Sequence, residues 1–197
     1  MSAPVQTRSR RRRAALLDAA AALLAEGGFG AVSHRAVAER AELPLAATTY
    51  YFASRDDLAA SAFEKLMRDE LDRVRALLRG PRLGTGPRAL ARALVSALAP
   101  ADPQERRYQL ALYELYVQAG RRDGRLRDLA REWTTGCVAL TRELLRAHGH
   151  DVDDTTARLL TSLADGLALE LLVEDRTTNT EAITVLTRAL ETLPGTR

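Results

Sequence analysis

Between Thr48 and Arg55 the chain sets two threonines, two tyrosines, a phenylalanine and an arginine within eight residues, TTYYFASR. None of these side chains is a nucleophile with a base beside it, so the stretch does not suggest covalent chemistry. Its chemistry is hydrogen bonding. Threonine brings a hydroxyl and a methyl, tyrosine a phenol on an apolar ring, and arginine a planar fork of N–H donors. Such groups suit phosphate oxygens and the edges of bases. The whole chain has nine aromatics (three Phe, one Trp, five Tyr) in 197 residues, so three in a row at Tyr50-Tyr51-Phe52 is a concentration.

Charge supports a polyanion at the same end. Residues 1–55 contain eight arginines (8, 10, 11, 12, 13, 35, 40 and 55) against four acids (18, 26, 39 and 42), a net of +4. The other 142 residues carry 21 basic and 22 acidic groups, a net of −1, within a total of +3. A basic end on a near-neutral body points to nucleic acid at that end. Arg10, Arg11, Arg12 and Arg13 read as a phosphate-binding arm next to the reading residues.

The elements that must position these groups are helical. Leu16, Leu17, Ala20, Leu23 and Leu24 recur at helical spacing from about residue 10 to 26, and Gly27-Gly28 ends that run. Ser33 is an N-cap for a second helix over 34–41. Pro44 suits the first turn of a third helix over 45–51, and Ser54 with Asp57 opens a fourth over 55–78. A Gly/Pro-rich connector at 79–87 follows, then five more helices near 88–99, 103–121, 125–148, 153–174 and 180–192. The fold class is all-α, with nine helices in two domains. Residues 1–9 are expected to be a disordered basic arm, 10–55 a three-helix DNA-binding head, and 56–197 a ligand-binding and dimerisation body.

Two short helices across a tight break form a helix-turn-helix, whose second helix lies in the major groove of DNA. Arg35, Thr48, Thr49, Tyr50, Tyr51 and Arg55 are therefore expected to touch DNA together with the arm. The threonines would read base edges, while Tyr50, Tyr51 and Arg55 would hold the phosphate walls.

Arg12 to Phe63 resembles the N-terminal domain of the TetR family of transcriptional regulators. The resemblance is carried by Ala19-Ala20, Gly28, Val37-Ala38, the run Tyr50-Tyr51-Phe52 and the Ser-basic-acidic-acidic-Leu stretch from Ser54 to Leu58. Glu42 replaces the family's turn glycine, Thr49 its common tyrosine, and Tyr51 its histidine before Phe. The resemblance implies a homodimeric repressor that leaves a palindromic double-stranded operator when a small-molecule effector enters the body. Activation, or ligand-blind architectural binding, is the alternative within regulation. A helical small-molecule-binding protein or enzyme with a non-functional head is the alternative outside it.

In the body, Phe63, Met67, Tyr108, Leu112, Tyr113, Glu114, Tyr116, Trp133 and Cys137 could converge as an apolar ligand site with a few polar groups. The same residues would also serve as plain core. Glu114 either anchors a cationic or hydroxylated ligand or lies on a solvated face. Leu160, Leu163, Leu167, Leu171, Ile183, Leu186 and Leu190 form broad stripes on the last two helices, suited to a four-helix dimer interface or a buried monomer core. The fourth helix would link pocket to head as a lever.

His148, His150, Asp151, Asp153 and Asp154 share one loop, but their spacing fits no helix-face metal pair, and the better reading is a solvated loop with an Asp cap. No metal, cofactor or catalytic residue is expected. Cys137 is the sole cysteine, so no intrachain disulfide can form and a reducing, cytoplasmic setting is expected. Asp18 and Glu26 interrupt the apolar first helix, so no membrane span or secretion signal is expected.

Overall fold

The computed structural model describes residues 3–78, 84, 86–176 and 179–193. Among them are nine helices and no strand: α1 (Ala3–Ala31), α2 (His34–Arg40), α3 (Leu45–Tyr51), α4 (Arg55–Leu78), α5 (Pro87–Leu98), α6 (Pro103–Gly120), α7 (Arg125–Ala147), α8 (Asp154–Val173) and α9 (Thr180–Glu191). Most of the connector at 79–87 lies outside the described residues.

The helices begin where the capping residues stand. Ser33 Oγ accepts the Ala36 N–H at 3.1 Å. Ser54 Oγ accepts the Asp57 N–H, and the Asp57 carboxylate accepts the Ala53 N–H, each at 3.1 Å. The second bond lands one residue earlier than in a standard capping box. Asp153 accepts the Thr156 N–H at 2.8 Å, which also holds its carboxyl below the usual range. The His148–Asp154 loop is thus a helix stop and a helix start.

Two features of α1 differ from expectation. It starts at Ala3, so residues 3–9 are helical where a disordered arm was expected, with Met1 and Ser2 outside the described residues. It is also kinked at Gly27 (φ −138°) and Gly28 (φ 67°), which joins a short final turn to the main helix. Within Thr7–Ala31 an 18-residue window reaches a mean hydropathy of 1.3, apolar enough by composition to cross a membrane. Here Leu16, Ala20 and Leu24 are buried, and Asp18 pairs with Lys65 at 3.1 Å.

The chain divides into two compact units. One comprises residues 1–68 and 111–130, the other 69–110 and 131–197. Residues of α4, α6 and α7 fall in both, so the boundary differs from the expected cut after residue 55. In the first unit α1, α2 and α3 pack together over Leu16, Leu24, Phe29, Val37, Phe52, Leu58 and Phe63. In the second, α5, α8 and α9 pack on one another, and Val74, Leu140 and Leu144 form a cluster with Leu71, Ala93, Leu94 and Leu98. A Cβ at Gly136 would lie 2.8 Å from Leu71 Cδ1, so glycine is what lets Leu71 reach α7.

The turn between α2 and α3 contains a non-glycine residue in left-handed backbone. The Glu42 N–H reaches the Glu39 carbonyl at 3.1 Å, the Leu43 N–H reaches Ala38 at 3.0 Å, and Glu42 has φ 53°. This is a Schellman ending, whose left-handed position favours glycine. The conformation costs a β-carbon residue about 1–2 kcal/mol, and glycine's extra freedom in the unfolded chain offsets about half of that. Glu42→Gly should therefore raise unfolding stability by about 0.5–1 kcal/mol, read by urea denaturation of the two proteins.

Candidate nucleic-acid interface

The first unit presents α3 on the surface and anchors it from beneath. Thr48 is fully buried, and its hydroxyl donates to the Leu45 carbonyl at 2.8 Å. It is therefore a support of α3 and not the base reader expected from the sequence. The exposed face of α3 comprises Ala46, Thr49 and Tyr50, with Leu45 beside them. Tyr50 is the most open of the large side chains there, at 79% exposure, and meets Tyr51 edge-on at 4.9 Å between centroids. Thr49 Oγ1 donates back to the Ala46 carbonyl at 3.2 Å, which leaves its lone pairs and methyl facing outward.

Arg55 also has a different task from the one expected. Its Nε donates to the Val32 carbonyl at 2.8 Å, and one terminal nitrogen donates to Phe29 at 2.9 Å and more weakly to Gly30 at 3.5 Å. The guanidinium thus ties the start of α4 to the carbonyls at the end of α1 and just past it. Charged donors to backbone carbonyls make stronger bonds than neutral ones. Arg35 is exposed on the first turn of α2. Arg10, Arg11, Arg12 and Arg13 are exposed on helical backbone, with Arg13 lying 5.5 Å from the Phe52 ring centre. Tyr51 is half-buried, and its hydroxyl bonds to Ser9.

Further ties hold this unit together. Arg40 and Glu26 form a two-pronged pair at 2.6 and 2.9 Å, which lowers the Glu26 carboxyl pKa. Arg125 spans Asp57 and Glu64 at 2.7 and 2.8 Å, and Arg122 lies 4.7 Å over Phe29.

The residues expected to line a ligand site have several fates. In the first unit Phe63, Met67 and Leu112 are buried core, with Phe63 tilted against Phe29 at 5.8 Å. Glu114 is exposed, matching the solvated-face reading, while Tyr113 and Tyr116 are half-buried. Tyr108, Trp133 and Cys137, all half-buried, belong to the second unit.

The second unit also holds a buried carboxylate that sequence reasoning missed. Glu70, 3% exposed, pairs with Arg73 at 2.6 and 2.8 Å and accepts from Gln109 at 2.9 Å. Arg73 also donates to the Ala97 carbonyl at 2.7 Å. Glu70 in turn holds the Arg73 pKa up, with smaller help from Tyr108 and Glu105. Burial pushes the Cys137 thiol well above the usual range, and the Asp165 and Glu70 carboxylates add to that. Only the EKLMRDELDR spacing of Glu70 and Arg73, three apart on α4, signals this pair, and an exposed pair reads the same.

Two family profiles match the chain. One, described as bacterial regulatory proteins of the tetR family, matches residues 16–62, and a tetracyclin repressor-like C-terminal domain matches residues 85–193, more than half of the chain. The chain belongs to the TetR family of transcriptional regulators. The TetR head in this chain is a DNA-binding helix-turn-helix. Among solved structures, the multidrug binding protein EbrR complexed with proflavin is 38% identical over 90% of this chain and 99% of its own, with a TM-score of 0.66. Its complex with imidazole matches at 35% over 94% and 97%, with a TM-score of 0.67. SCO1917 from Streptomyces coelicolor A3, a member of the TetR family, is 35% identical over 93% and 98%, with a TM-score of 0.66. A search of curated protein sequences returns no match.

Two measurements check the reassigned residues. Arg55→Gln should lower unfolding stability by about 1–3 kcal/mol in urea without any DNA present, because three carbonyl contacts are lost or weakened. Cys137 has its thiol held protonated at pH 8, so a disulfide reagent should label it roughly tenfold or more slowly in the folded TetR chain than in denaturant.

Proposed function

We propose that this TetR-family regulator is a repressor that binds a palindromic operator as a homodimer and is released by a cationic aromatic effector. The observation that carries the DNA half is the exposed edge of α3. Tyr50 and Thr49 stand clear of the core there, and Arg35 and the Arg10–Arg13 row are exposed on the same unit. In this reading Thr49 meets base edges, and Tyr50 and the arginines meet phosphates. Thr48 supports the helix from behind, and Arg55 holds its frame.

The dimer half rests on the outer face of α8 and α9. Leu160, Leu171, Ile183, Leu186 and Leu190 are buried within the protomer, so the interface expected from them is corrected. Leu163 and Leu167 are half-buried. The exposed apolar stripe is Leu159, Leu169 and Val173 on α8, with the open Gly166 between them and Val185 on α9. Leu159 and Val173 are both 67% exposed, and large aliphatics at helical spacing on a surface mark an association site. A dimer that binds a palindrome needs its two reading helices about 34–36 Å apart, or a multiple of that, to match successive turns of DNA.

The effector half draws on the EbrR structures, whose partners include proflavin, malachite green and ethidium. All three dyes are aromatic cations. In the second unit, Asp165 supplies negative charge near Cys137, while the Glu70 charge is already met by Arg73, which has Tyr108 as an aromatic neighbour. An effector need only favour a dimer spacing that no longer fits the operator.

A gel shift on the DNA beside the regulator's own gene, repeated from low to high salt, tests the DNA half. A shifted palindrome with a steep salt slope is expected, and no shift at any salt sinks it. Tyr50→Ala should weaken binding about equally at all sites, while Thr49→Ala should change the ranking among sites. Leu159→Glu combined with Val173→Glu should sediment as a monomer. Ethidium should quench Trp133 emission and lift the regulator from DNA. Equal affinity of the dye for free and DNA-bound protein would refute release.

A further inference from the structure

Resting on the DNA-binding reading above, we infer that Tyr51 is a positioning residue, whose phenol staples the N-terminal turns of α1 to the reading helix and presents a preformed row of arginines to the phosphate backbone. The Tyr51 hydroxyl donates to the Ser9 carbonyl at 3.1 Å, and the Ser9 hydroxyl lies 2.9 Å from the same oxygen as its reciprocal donor. The two residues are 42 positions apart, so this is a tertiary tie and not a local turn. One helical turn further on, Arg13 sets its guanidinium beside Phe52.

Ser9, Arg13, Leu16 and Ala20 follow one another at spacings of four, three and four. They therefore share one face of α1. Leu16 and Ala20 are fully buried. The face that enters the core thus continues beyond it as two polar contacts with Tyr51-Phe52. Fixing that face fixes the direction of the others. Arg8 and Arg12 share a second face, with Arg11 next to it, and all are exposed.

This segment would not hold a helix unaided. Five arginines in six positions (Arg8 and Arg10 to Arg13) repel one another at helical spacing. They also sit near the N-terminal end, where the helix dipole disfavours cations. A tie to the folded head counters both effects. Ordered before DNA arrives, the arginines lose less conformational freedom on binding than a loose arm would. The Tyr51 hydroxyl, already bonded to Ser9, is then not the phosphate ligand that the sequence suggested.

A double-mutant cycle separates the two roles. The proteins are the full chain and a chain lacking residues 1–9, each with Tyr51 or with Tyr51→Phe, all confirmed as folded by circular dichroism. Amide hydrogen exchange at residues 7–13 is measured without DNA, and operator affinity is measured across salt. The staple predicts about tenfold faster exchange in Tyr51→Phe, the scale of one lost hydrogen bond. It also predicts about tenfold weaker DNA binding with a shallower salt slope in the full chain, and less than a twofold change in the truncated chain. Unchanged exchange overturns the staple. An equal loss of affinity in both backgrounds overturns it too, because the phenol would then be touching DNA itself. If the unmutated chain binds no DNA, the reading of α3 fails, while the exchange measurement still decides the staple.

Discussion

A helix of seven residues cannot sustain itself in water, because the nucleating turn costs more than so few hydrogen bonds return. α3 is such a helix, and everything proposed for the head depends on the core that holds it. Thr48 is the point of attachment. It sits at zero exposure, with its hydroxyl turned onto the helix's own backbone so that no polar group is buried unpaired. Phe52, 1% exposed, closes the C-terminal end of α3 into the core. Arg55 fixes the ends of α1 and α4 to each other immediately beyond. The outer face of α3 is thus defined by subtraction: what the core does not need of α3 is what remains outside.

Among the described residues, α2, α7 and α8 end by one device, and the residue placed there differs each time. Gly149 follows α7 with φ 84°, Glu42 follows α2 with φ 53°, and Asp175 follows α8 with φ 52°. In each case the next N–H bonds a carbonyl five residues back, at Leu145, Ala38 and Leu171. Glycine takes this backbone freely, whereas glutamate and aspartate do so under strain. At Asp175 the strain is compensated locally. The buried Arg106 donates to the Leu171 carbonyl at 2.7 Å and lies 3.4 Å from the Asp175 carboxylate. Among the described residues no such fork reaches Glu42, which is exposed, and backbone bonds hold its turn.

The element boundaries were legible because they are written in local chemistry. Ser33, Pro44, Ser54 and Asp153 each act within four residues of where they stand, and α2, α3, α4 and α8 each begin at the residue after one of those marks. What was illegible is set by partners distant in sequence. Thr48 and Thr49 are the same residue type side by side, and only the core decides that one is buried and the other exposed. Leu159 and Leu160 pose the same problem on α8, where a leucine-rich stripe is too wide for sequence to divide inner face from outer. Residues 3–9 are helical, and Ser9 among them meets Tyr51, a contact that no window of sequence contains. Phe63 and Met67 looked like pocket lining because apolar residues at helical spacing look alike in a wall and in a core.

The near-exclusive use of arginine, 28 of 29 basic residues, also has a structural consequence. Arginine presents donors in several directions from one rigid plane, whereas a lysine ammonium is a single point of charge. The chain uses that difference away from any DNA. Arg55 and Arg106 each gather two or more backbone carbonyls near helix ends, and Arg73 holds both oxygens of Glu70 together with the Ala97 carbonyl. Arg125 divides its fork between Asp57 and Glu64. At Arg106, with 5% of its surface exposed, a lysine could not serve the Pro100, Leu171 and Arg176 carbonyls from one position. A residue type that sequence suggests only as a surface for phosphate is, in this fold, equally a fastener for helix ends. The exposed row from Arg10 to Arg13 stands out as the cluster set aside from that task.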